Sequence, residues 1–196
     1  YEGIFLPNSY GYRPRRSCHM ALAALQQCLV AGGGAFVIDM DLSKYFDTVP
    51  HAKLMDFLRL TVKDPVILHA IWSFLNAGTL VPGSRHGDLV LGKGHRGTPQ
   101  GGVISPLLAN IYLHYVLDDY LAHEVAPGTP GGVHFFRYAD DVVCLVEEMD
   151  IAIQVLDLVT KRVGEFGLQL NMQKTKILDC RRPDRIVGDA SSDGQI

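Results

Sequence analysis

The feature that most constrains this chain is a pair of apolar β-like stretches that both end in carboxylates. Residues 35–42, Ala-Phe-Val-Ile-Asp-Met-Asp-Leu, read as a short strand, with Asp39 and Asp41 on one face because side chains alternate along a strand. Residues 133–138 and 142–146 read as a hairpin joined across Ala139-Asp140-Asp141. Helical patterns at 50–60, 65–75 and 105–121 lie between them, a further helix spans 150–166, and a last strand spans 176–180. Strand, helices, hairpin, helix, strand is the order of a split β-α-β layout. It predicts an α+β fold with helices packed on one face of an antiparallel sheet. In such a sheet the strand ending at Asp41 and the hairpin tip at Asp140-Asp141 become neighbours.

Local punctuation supports these boundaries. Ser17 is a suitable N-cap for a helix over 18–31, and Gly32, Gly33 and Gly34 end it. Asp64 precedes Pro65 at a first helical turn, and Pro106 opens the helix that begins at Ser105. Asp150 is expected to cap the 150–166 helix, and Gly167 to stop it. Residues 78–96 are broken by glycines and prolines, and read as a hairpin or loop region. Residues 183–196, rich in Pro, Gly, Asp and Ser, read as a flexible tail.

Composition narrows the class. With 196 residues, 47% hydrophobic and 20% charged, the chain suits one domain with a sizeable core. Its apolar runs are short and interrupted, so no membrane span is expected. Tyr1 opens no signal-peptide pattern, and the absence of an initiator Met suggests a chain that starts inside a longer protein. Four scattered cysteines lack zinc spacing, and they suit reduced thiols in a cytoplasmic protein. The net charge of -3 is low for a free-standing nucleic-acid binder, but it suits a part whose task is to hold metal ions. A phosphate-binding G-x-x-x-x-G-K-[ST] loop and an H-E-x-x-H zinc motif are both missing.

Clustered carboxylates have a chemical use. Hard divalent ions take oxygen ligands, and a pair of them can clamp the attacking and leaving oxygens of a phosphoryl transfer. Asp41, Asp140 and Asp141 are the candidates. Ordinary turn aspartates would leave the same spacing, so both readings stand on these residues alone. Asp39 and Asp47 suit structural or supporting roles.

Longer strings are more specific. Ser-Tyr-Gly-Tyr-Arg-Pro-Arg-Arg-Ser at 9–17 and Asp-Leu-Ser-Lys-Tyr-Phe-Asp at 41–47 come first. Gly-Thr-Pro-Gln-Gly-Gly-Val-Ile-Ser-Pro-Leu-Leu-Ala-Asn-Ile-Tyr-Leu at 97–113 follows. Arg-Tyr-Ala-Asp-Asp at 137–141 and Gly-Leu-Gln-Leu-Asn at 167–171 complete the set, with Lys174-Thr175 just after. In this order the strings resemble the reverse-transcriptase (maturase) domain encoded by bacterial group II introns. The 97–113 stretch favours that type over the reverse transcriptases of retrons, diversity-generating elements or CRISPR-linked systems.

The resemblance implies a polymerase palm with part of the fingers. Residues 1–34 would be a partial fingers segment and 35–182 the palm, with 60–100 partly an insertion between the two, and 183–196 the tail. It implies an RNA-directed DNA polymerase that transfers dNTPs to a primer 3′-hydroxyl on an RNA template, in a protein serving intron mobility and splicing. The alternative is a non-enzymatic splicing factor that binds intron RNA on a polymerase fold.

Two Mg2+ ions, or Mn2+ in their place, would sit at Asp41, Asp140 and Asp141. Leu42, Phe46, Gln100 and Gly101 would meet the nucleotide, with Phe46 under the sugar. Tyr138, Ala139, Gly102, Lys174, Arg13 and Arg16 would lie along primer or template, although Arg13 and Arg16 equally suit a role in stabilising the fingers. Expected partners are an RNA template, a DNA or RNA primer, dNTP and, for the parent, group II intron RNA, with no membrane. Some parts depart from the pattern. Arg15 stands where the family commonly has glycine, 79–96 match loosely, and 184–196 match no part. Basic fingers segments and a thumb are missing, so the piece alone is expected to be weakly active or inactive.

Overall fold

The structure, a computed structural model, describes residues 1–77, 79–82, 89–92, 94–98, 102–181 and 186–189, with backbone alone for 79–82, 89–92 and 186–189. Its elements in chain order are α1 (Cys18–Val30), β1 (Phe36–Asp41), α2 (Tyr45–Thr48), α3 (His51–Thr61) and α4 (Pro65–Asn76). There follow β2 (Thr79–Pro82), β3 (Leu89–Gly92), α5 (Ser105–Leu113), α6 (Ala126–Gly128), β4 (His134–Tyr138), β5 (Asp141–Val146), α7 (Met149–Glu165), β6 (Lys176–Asp179) and β7 (Ile186–Asp189). Between α5 and α6 the helix continues through two π-helical turns, His114–Asp118 and Leu121–Val125.

The main sheet is antiparallel with strand order β4-β5-β1-β6-β7, and β2 and β3 form a separate hairpin. This is the expected α+β architecture. Alternation along β1 and β5 divides the faces. Phe36, Ile38, Met40, Val142, Cys144 and Val146 join the main core, while Asp39 and Asp141 on the opposite face are exposed. Helix α7 packs directly on β1 and β5 through Val155, Val159 and Val163, the π-helical continuation of α5 packs on α7, and α3 packs on α5. The spacing of those α7 valines is the apolar stripe that a sheet-covering helix needs.

The caps agree in part with expectation. Ser17 accepts from Met20 N, and Asp64 accepts from Val66 N and Ile67 N. For α7 the N-cap position is Glu148 and not Asp150, which lies in the first turn, where its charge faces the positive end of the helix dipole. Within the stretch read as a tail, Ile186–Asp189 pairs with β6 as an edge strand.

A cluster of buried polar groups, centred on Arg137, lies inside this core. Arg137 shares the inner face of β4 with Phe135, and its side chain is fully buried. Its guanidinium donates five hydrogen bonds: to both Asp118 carboxylate oxygens, to Asn110 Oδ1, to Ala139 O and to Ser9 Oγ. All five of its N–H donors are thereby used. Burying a charge is tolerable only when it is paired and fully bonded, and both conditions hold. Asp118→Ala is expected to destabilise the fold by about 3–5 kcal/mol, because it leaves the guanidinium buried without its counter-ion. An Arg137→Met/Asp118→Leu double variant should recover much of that loss. Urea unfolding midpoints of the three proteins test the pair.

Candidate active site

The carboxylates meet at one end of the sheet. Asp41 closes β1 and lies directly opposite Asp141, the first residue of β5. Tyr138 is also opposite Asp141, so Ala139 and Asp140 make a two-residue hairpin turn. Ala139 has φ of 57°, the left-handed region such turns require, at a cost of roughly 1–2 kcal/mol for a residue with a Cβ. Two contacts hold it there. Arg137 Nη1 donates to Ala139 O at 2.8 Å, and Gly11 lies against its backbone so closely that a Cβ on Gly11 would fall 2.2 Å from Ala139 N. The 8–11 segment runs beside β4: Arg137 N donates to Asn8 O, Tyr10 N donates to Arg137 O, and Asn110 Nδ2 donates to Gly11 O.

A second loop reaches the same point. Asn171 N donates to Asp41 O at 2.8 Å, Lys174 N and Thr175 N donate to Asn171 O, and Gln173 N donates to Asn171 Oδ1. This turn sets Lys174 Nζ 3.2 Å from Asp41 Oδ1. Leu42 and Leu170 bridge beside it, and Ser43 N donates to Gln169 O. Phe46 rides on the short helix α2, half-buried, between the rings of Tyr12 and Tyr45. Tyr45 is buried and donates from its hydroxyl to Ala109 O at 2.6 Å, fixing α2 to α5.

Crowding shapes the electrostatics. The Asp141 carboxyl is pushed above its ordinary value, first by partial desolvation, then by Asp140, Asp41 and Asp39, with Lys174 opposing. Burial also raises Asp39. Lys176, its cross-strand partner, opposes that shift, and Asp41 adds to it.

The donor chemistry of Asp41, Asp140 and Asp141, all hard carboxylate oxygens crowded at one sheet end, fits a divalent cation. Yet among the described residues no group of three or more His, Cys, Asp or Glu is gathered closely enough to hold a metal ion. The ammonium of Lys174 supplies positive charge at Asp41.

The other expected residues divide clearly. Gly102 and Tyr138 are half-buried near the start of α5 and the hairpin end. Gln100 and Gly101 lie outside the described residues. Arg13 turns inward: its guanidinium donates to Leu6 O, Ser9 O and Glu2 Oε2 and lies over the Phe5 ring. Arg16 donates to Pro7 O and lies over Tyr10. Both cations hold the entry segment together. Sequence reasoning missed the parts played by Arg137, Asp118, Asn110 and Gly11. One signal was available, since period-2 alternation puts Arg137 on the same face as Phe135, where a charge must find a partner.

A family model described as reverse transcriptase (RNA-dependent DNA polymerase) matches residues 3–187. The chain belongs to the reverse transcriptase family. Protein YkfC of Escherichia coli (strain K12) is 34% identical over 208 residues, covering 90% of this chain and 53% of YkfC. The group II intron-encoded protein LtrA of Lactococcus lactis subsp. cremoris is 41% identical over 114 residues, covering 58% of this chain and 18% of LtrA. This reverse transcriptase domain is therefore maturase-like and related to the LtrA proteins, and it spans about half the length of YkfC. Among solved structures, telomerase from Candida albicans, in complex with a telomeric RNA fragment, shares the fold with a TM-score of 0.68 at 19% identity. That match covers 91% of this chain and 32% of the telomerase chain. Telomerase from Candida tropicalis shares it with a TM-score of 0.67 at 15% identity, over 88% of this chain and 33% of that one. Among the described residues no helix is long and apolar enough to cross a membrane.

The raised pKa of Asp141 has a defined consequence for stability. The folded state holds that proton more tightly than the unfolded chain does. The favourable contribution is therefore fully present below the ordinary value of 3.8 and is lost as pH rises through the folded pKa. Asp141→Asn is expected to raise the melting temperature modestly at neutral pH and to leave it unchanged below that ordinary value. Thermal melts across pH check the sign.

Proposed function

We propose that this domain is the catalytic palm, with part of the fingers, of an RNA-directed DNA polymerase. The observation that carries the reading is the cross-strand pair Asp41–Asp141 beside the Asp140 turn, in a chain of the reverse transcriptase family. In the reaction, the primer 3′-hydroxyl gives its proton to solvent and its oxygen bonds to the α-phosphorus of a dNTP, while the bond from that phosphorus to the α–β bridging oxygen breaks and pyrophosphate leaves. Bound Mg2+, or Mn2+, would neutralise charge on the attacking and leaving oxygens.

In this reading the carboxylates of Asp41, Asp140 and Asp141 would hold the cations. Lys174, paired with Asp41 in this structure, would be available to a substrate phosphate. Phe46 lies under the incoming sugar, where its ring excludes a 2′-hydroxyl and selects deoxynucleotides. Leu42, Gln100 and Gly101 belong to the nucleotide site. Tyr138, Ala139 and Gly102 belong to the path of primer and template. Arg16, half-buried, and the inward Arg13 support the fingers-side segment that backs the hairpin. The parent protein binds an RNA template and a primer, and group II intron RNA in its splicing role, in the bacterial cytoplasm. Positioning contributes much of the rate in such chemistry, so parts beyond this domain grip the duplex.

The test is Mg2+-dependent dNTP incorporation by the full-length parent on a primed RNA template. Asp140→Ala should lower incorporation by about a thousandfold while RNA binding persists. If folded parent protein binds RNA and incorporates nothing, the reading gives way to a non-enzymatic splicing factor.

A further inference from the structure

Helix α3 begins with a histidine that the carboxylate site does not use. His51 is 2% exposed, and its Nε2 lies 2.6 Å from Gly97 O. A carbonyl only accepts, so Nε2 carries the proton and Nδ1 is bare. Nδ1 is buried and has no hydrogen-bond partner among the described residues. The edge of the ring meets Trp72 of α4, with centroids 6.4 Å apart. A buried imidazole satisfied on one side only is costly, so the bond it does make is held by its surroundings.

That bond grips one side of a short backbone ladder. His51 N donates to His95 O, Gly97 N donates to Val49 O at 2.8 Å, and Thr98 N donates to Phe46 O at 2.6 Å. Pro50 and Arg96 pair as an antiparallel bridge, and Thr98 is 1% exposed. Gly97 has φ of 90°, and a Cβ there would come within 3.0 Å of Asp47 O and 3.2 Å of Phe46 O. The 95–98 strip is therefore pressed onto the peptides of Phe46 and Asp47, with the His51 ring bonded to Gly97 as well.

We propose that His51 is a positioning residue for nucleotide selection: through Gly97 and Thr98 it fixes the height of the Phe46 ring. The inference rests on the proposed polymerase reading, in which Phe46 lies under the sugar. Helix α2, which carries Phe46, has four residues and cannot hold its own orientation. Tyr45 anchors it to α5 from one side, and Thr98 anchors the carbonyl of Phe46 from the other. Loosening the second anchor lets the ring drop and admits a 2′-hydroxyl.

The experiment compares dNTP with rNTP incorporation by the full-length parent, native and carrying His51→Phe, His51→Gln or Phe46→Ala. His51→Phe keeps a ring against Trp72 and removes the donor. It should lower the dNTP-over-rNTP preference by about tenfold, mainly by lowering KM for rNTP, with KM for primed template unchanged. His51→Gln restores an N–H donor and should restore the preference. Faster amide exchange at Thr98 in His51→Phe is expected alongside. If that variant does not fold, Gly97→Ala displaces the same strip from the other side and should give the same loss of preference.

Uniform loss of both activities with the preference intact would overturn the proposal and leave His51 a stability residue. If Phe46→Ala relaxes selection and the His51 and Gly97 variants do not, this inference fails while the polymerase reading stands. If the native parent incorporates no nucleotide, both fail together, since no nucleotide is there to be positioned.

Discussion

The buried guanidinium of Arg137 is the interaction on which the candidate site depends. It ties its own hairpin tip, through Ala139, to two pieces of chain distant in sequence: the 8–11 segment through Ser9, and α5 with its π-helical continuation through Asn110 and Asp118. A planar fork of fixed donors suits this task better than an ammonium, because each donor commits one neighbour to one direction. The turn residue Ala139 has unfavourable dihedrals, and the same fork bonds its carbonyl. The position of Asp140 in that turn follows from a charge on the opposite side of the sheet.

Around that centre the site is a balance of like charges. The open sheet face gathers Asp39, Asp41 and Asp141, and the fold supplies partial relief through Lys174 and Lys176. The repulsion that remains keeps the Asp141 carboxyl above its ordinary value.

The layout was legible because its signals are local. Alternation in β1, the apolar stripe of α7, and the caps at Ser17 and Asp64 can each be seen within a dozen residues. The meeting of Asp41 with the hairpin followed from the split order of strands. What escaped depends on the chain returning to itself. The run Arg13-Pro14-Arg15-Arg16 looks like a basic patch, but left-handed dihedrals at Tyr12 and Arg15 turn the entry segment back, and Arg13 finds the carbonyls of Leu6 and Ser9. The Ile186–Asp189 strand escaped because it lies within a stretch rich in Pro, Gly, Asp and Ser, and its pairing is decided by the free edge of β6. Glu148 and Asp150 are both acidic near one helix start, so composition could not choose between them.

The π-helical turn at His114–Asp118 bears on how this family can vary. It holds one residue more than an α-turn of the same height, and Arg162 donates to the carbonyls of Tyr115 and Val116 within it. Losing a single codon there would let the helix close into regular α form, with every bond of the ladder intact. Because the residue removed is the extra one, the turn would still complete a full revolution, and Asp118 would keep its place against Arg137. Identity in this stretch is therefore held more strictly than length: one residue can be left out, but Asp118 cannot be exchanged without stranding the guanidinium of Arg137.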